Sequence, residues 1–60
     1  MCESTAYSSD GSLLMEDILF IKIDGNNIHM TDILNQKKSI KGHIQEIDLD
    51  KHGIYIKIEE

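Results

Sequence analysis

One thiol and three imidazoles are the soft metal donors of this chain: Cys2, His29, His43 and His52. Cys2 stands one residue from the start. If Met1 is removed, that single residue offers two donors, a thiolate and a free α-amine, placed to close a five-membered chelate ring. Their reference pKa values are about 8.5 and 8, so a bound cation displaces both protons near neutrality. The amide nitrogen of Glu3 is next in line as a third, in-plane donor. Nitrogen and sulfur in a plane suit Ni(II) or Cu(II) better than zinc, which prefers a tetrahedron. In a dimer, two such termini meeting at the symmetry axis could share one ion.

A lone cysteine has blander readings. It can be a small hydrophobe packed under a strand, or a redox-sensing thiol, although no resolving cysteine accompanies it. The histidines are weaker candidates, because no two of them have a spacing that brings imidazoles together on a strand or a helix turn. His52 falls in a turn and reads as solvated; His29 and His43 point outward in the registers proposed below. The carboxylates Glu16, Asp17, Asp24, Asp32, Glu46, Asp48 and Asp50 are scattered over strand edges and turns. No nucleophile triad, phosphate loop or glycine-rich nucleotide motif is present, and a small barrel has little room for the usual ~300 Å³ substrate pocket. The expectation is that the protein is not an enzyme.

Composition narrows the partners. The 60 residues make one domain, 1–60, and carry a formal charge of −5. All six basic residues are Lys. The bidentate guanidinium fork that grips phosphate and guanine edges is therefore missing. A single-stranded RNA-binding module remains the alternative function, built on Lys37, Lys38 and Lys41 with Tyr7, Phe20 and Tyr55 as stacking rings. The acidic balance and the expectation that Phe20 is core disfavour it. No basic start leads into a signal-like apolar run, and the longest aliphatic or aromatic run, Ile18 to Ile21, is far below the ~18 residues of a membrane span. The expected location is cytoplasmic, with the thiol kept reduced.

These donors must be held by strands. Residues 2–7 alternate weakly, and Ser8 to Ser12 forms a polar loop. Leu14, Met15, Ile18 and Leu19 have helical spacing, so one turn of helix near residues 13–17 is an option. From Ile18 the pattern favours a strand, with Leu19, Ile21 and Ile23 on one face. Asp24-Gly25-Asn26-Asn27 reverses the chain into a strand running to about Leu34. Residues 39–48 show i, i+4, i+7 isoleucines, but Gly42 and the β-branched content favour a strand with a bulge near Gly42. After the Asp50–Gly53 turn, Ile54, Ile56 and Ile58 alternate inward.

Five short strands with no room for a crossover helix imply an all-β fold, a small five-stranded antiparallel SH3-like or Sm-like barrel. So small a core, without a disulfide, needs a metal or a partner subunit, and exposed barrel edges favour a homodimer.

Met1-Cys2, Leu14-Met15-Glu16-Asp17-Ile18, Asp32-Ile33-Leu34, Ile40-Lys41-Gly42-His43-Ile44 and Gln45-Glu46-Ile47-Asp48-Leu49 together resemble the CooT-like family of carbon monoxide dehydrogenase accessory proteins. The likeness covers nearly the whole chain. It implies a homodimeric small β-barrel that binds Ni(2+) through Cys2, possessing no histidine ligand and supplying nickel to carbon monoxide dehydrogenase. Some relatives are described as predicted RNA-binding proteins. The Ser8–Ser12 loop is longer than the family's usual first connection.

Overall fold

Five strands account for the architecture: β1 (Ser4–Ser8), β2 (Leu13–Asp24), β3 (Asn27–Asp32), β4 (Lys37–Asp48) and β5 (Gly53–Ile58). The structure is a computed structural model that describes residues 3–59. Neighbours follow chain order, and β1 meets β5 to close the barrel. Consecutive strands are antiparallel. The closing pair is parallel, with Thr5 beside Gly53 and Ser8 beside Ile56. Parity requires this, because in an up-and-down meander with an odd number of strands the first and last point the same way. The expected five-stranded barrel is present, with one parallel seam.

Closure depends on the two long strands, each of 12 residues. β2 pairs with β1 as far as Ile18 and with β3 from there to Asp24. β4 pairs with β3 through Lys41 and with β5 from Gly42. Each must bend where it changes partner. In β2 the ladder slips between Ile18 and Phe20, just after Asp17 takes a φ of 54°. A short polar side chain tolerates that left-handed backbone better than most. In β4 the slip falls between Ile44 and Glu46.

These slips correct several expectations. No turn of helix forms near residues 13–17; Leu13 pairs with Tyr7 and Met15 with Ala6, so the segment is strand. The helical spacing there comes from bulges breaking a two-residue alternation. For the same reason Ile18, not Leu19, joins Ile21 on the core face, and Leu19 and Phe20 are both exposed. The β4 bulge sits at Gln45 instead of Gly42. Gly42 marks a close approach: a Cβ there would lie 2.2 Å from the Lys57 carbonyl oxygen. Among the described residues β1 starts at Ser4, and β3 ends at Asp32, two residues short of Leu34.

The core is Ala6, Ile18, Ile28, Met30, Ile54 and Ile56, with Ile21, Ile40 and Ile44 packed against it. Ile58, expected inward, is 42% exposed because it lies where the barrel opens. The β2–β3 reversal uses Gly25, with φ 60°, as the first residue of a two-residue turn, the position where glycine suits a primed hairpin turn. Two carboxylates organise the β3–β4 and β4–β5 connections. Asp32 Oδ1 accepts from the backbone of Leu34 and Gln36, and Asp48 Oδ1 from that of Asp50 and Lys51.

Candidate metal centre

The chain enters the barrel at one end. Glu3 is half-buried, Ser4 pairs with Ile18, and the Thr5 amide donates to the His52 carbonyl at 2.9 Å. Strand β1 is thus pinned on both sides from its first residues. Cys2 lies outside the described residues. Among those described, no group of three or more His, Cys, Asp or Glu side chains is gathered to hold a metal. With Met1 removed, the terminus would offer a thiolate, an amine and the Glu3 amide, a nitrogen and sulfur donor set. The chemistry of that set fits a square-planar Ni(II).

The parallel seam brings one residue to this end that spacing did not flag. His52 is an exposed turn residue, as its place in the sequence implied, and its backbone carbonyl accepts from the Thr5 amide while its φ is 55°. Only the direction of β5 relative to β1 could have shown this, and that follows from the odd strand count. The other histidines are engaged elsewhere. His29 Nδ1 is 2.7 Å from the Ser39 hydroxyl across β3 and β4, and His43 Nδ1 is 3.6 Å from Glu59 on an exposed face. Both point outward as expected.

The residues of the RNA reading do not gather. Tyr7 and Tyr55 stack on each other across the seam, centroids 5.6 Å apart, with Glu46 directly opposite Tyr55. Phe20 lies on the second half of β2, opposite Thr31. Lys38 Nζ donates to the Leu14 carbonyl at 3.1 Å, and Lys41 pairs with Asn27. Lys37 and Lys38 instead help line an open surface groove of about 520 Å³, together with Leu13, Leu34, Glu16 and Asp17. This groove is larger than sequence reasoning allowed for, but it is shallow and brings no nucleophile and base together.

One carboxylate is strongly perturbed. Asp10 has its pKa lowered from 3.8 to about 2, first by the Ser8 hydroxyl and then by the Ser12 amide. It is fully exposed and ties its loop into a turn. No helix among the described residues is long and apolar enough to cross a membrane.

Comparison with known proteins is consistent across sequence and structure. The family model described as CO dehydrogenase accessory protein CooT matches residues 1–57. An uncharacterized protein of Methanothermobacter thermautotrophicus is 52% identical over 100% of this chain and 94% of its own length. Another from Methanocaldococcus jannaschii is 34% identical over 93% of this chain and 96% of its own. A crystal structure assigned to CooT of Carboxydothermus hydrogenoformans superimposes with a TM-score of 0.88 at 24% identity, covering 98% of this chain and 100% of that one.

Proposed function

From the premise that this chain belongs to the CooT family of CO dehydrogenase accessory proteins, we propose that it is a non-catalytic nickel carrier. Two copies form a homodimer, and each contributes the Cys2 thiolate and one nitrogen, the α-amine or the Glu3 amide, so that four donors make a square plane. The ion sits at the dimer axis as cargo. Its recipient is a nickel enzyme such as carbon monoxide dehydrogenase.

The observation that supports this reading is the anchoring of β1 just after Glu3. β1 is anchored from Ser4 onward, while the described side chains offer no donor cluster of their own. The acidic surface, net −5, favours divalent cations over polyanions.

The test uses protein with its native start, with loss of Met1 confirmed by mass. Titration with nickel chloride should raise thiolate-to-metal charge-transfer absorption, and Cys2→Ser should abolish it. Nickel binding by Cys2→Ser as tight as the parent's would overturn the proposal.

A further inference from the structure

The surface groove beside the first half of β2 is a gap in the strand ladder. β2 pairs with β3 only from Ile18 onward, and β3 ends at Asp32, so among the described residues no strand lies on that side of Leu14 to Glu16. Which backbone groups face the gap follows from β1. The Thr5 amide donates to His52, towards β5, so by alternation Ala6 turns to β2 and exchanges bonds with its partner Met15. Leu14 and Glu16, on either side of Met15, therefore turn their N–H and C=O groups to the gap. Lys38 Nζ agrees with this, because it donates to the Leu14 carbonyl at 3.1 Å. Beyond Glu16 the gap is shut, where the Ile33 amide donates to the Asp17 carbonyl at 2.9 Å. An edge about 10 Å long is left. Leu13 and Leu34, exposed by 55% and 74%, line the same groove.

We propose that this edge receives the free C-terminus of a partner protein, laid antiparallel to β2 as a short added strand. Charge sets the direction. Lys38 holds the Leu14 end, and Asp17 and Asp32 line the closed end. A strand parallel to β2 would bring its terminal carboxylate against those two acids. An antiparallel strand ends at Lys38. There the last residue of the incoming chain lies opposite Leu14, its N–H donating to the Leu14 carbonyl and its carboxylate accepting from the Leu14 N–H. Lys38 gives up the carbonyl and pairs with the carboxylate a few ångströms away, a stronger charge-assisted bond. A chain end fits better than an acidic side chain, because the Lys38 ammonium already sits at the level of the backbone. The apolar flanks favour aliphatic or aromatic residues at the last positions, and the acidic end favours a basic residue ahead of them.

This site uses no residue of the metal proposal, so either can fail alone. Its test is a chemical-shift titration of the isotope-labelled full chain, without added metal. The probe is a pool of acetylated tetrapeptides, Lys followed by residues drawn from Val, Ile, Leu and Phe, made as the free acid and as the C-terminal amide. The acid pool should move the Leu14 and Glu16 amides and bind at least about tenfold more tightly than the amide pool. Lys38→Met, folded by circular dichroism, should remove that difference. Should Lys38→Met not fold, the acid and amide comparison in the parent decides. Equal binding of acid and amide, shifts confined to other faces of the barrel, or no shift at about 5 mM peptide would each overturn the proposal. Movement of the same amides on raising protein concentration alone would place a second copy in the groove, and overturns it too.

Discussion

Strands β2 and β4 have the same length, 12 residues, and the same task of joining the two halves of the barrel. They solve the bend differently. β4 turns at Gly42, where the absence of a side chain lets the Lys57 carbonyl come close, and then at a bulge. β2 has no glycine and bends through Asp17 in a left-handed conformation beside its own bulge. Their surfaces differ too. β4 exposes one large apolar side chain, Ile47, whereas β2 exposes Leu13, Leu19, Phe20 and Ile23. Equal length with unequal surface separates what closure demands of a long strand from what it leaves free.

Substitutions sharpen the contrast. The largest effect is expected at Ile28, which is fully buried on β3 and stands between Ile23 of β2 and Ile40 of β4. Ile28→Ala should cost about 4 kcal/mol, enough to unfold most of a domain this small. Urea denaturation measures it, and a loss below about 1 kcal/mol would mean the two halves do not share one core. Next comes the bend of β4. Gly42→Ala must displace the β5 backbone and should cost about 3 kcal/mol.

The bend of β2 should respond in the opposite direction. Asp17→Gly relieves a left-handed residue worth roughly 1–2 kcal/mol, and glycine's added chain entropy offsets part of this. A gain of less than about 1 kcal/mol in the same urea experiment is expected. Destabilisation instead would give the Asp17 side chain a role of its own.

The smallest effect lies in the loop feeding β2. The pKa of Asp10 is lowered on folding, so its contribution is fully present above the ordinary carboxylate value of 3.8 and is lost as pH falls through about 2. Asp10→Asn should flatten the acid limb of the stability profile in this window, so that its loss of stability relative to the parent is largest near neutrality and shrinks as pH falls through about 2. A carboxyl titration by NMR gives the same answer directly, and a midpoint near 4 would remove the Ser8 and Ser12 hydrogen bonds from the account.

The strand count, the Gly25 turn and the inward Ile54 and Ile56 could be read from residue order, because alternation and turn chemistry are local. Leu19, Phe20 and the helical spacing of residues 13–17 could not. A bulge inverts the facing of every residue after it, and its position depends on which strand lies alongside. The same limit applies at the metal end. Cys2 and Glu3 stand out as donors by type and place, and they remain the candidate ligands; the approach of His52 to Thr5 depends on a seam that only the closed topology creates.

The central claim is a nickel half-site completed by a twin. Native mass spectrometry of the native-start protein, Met1 removed, titrated with nickel chloride, addresses it most directly. The account predicts one nickel ion per two chains, appearing only on the dimer and absent from Cys2→Ser. One ion on each isolated chain, or undiminished loading of Cys2→Ser, would contradict it.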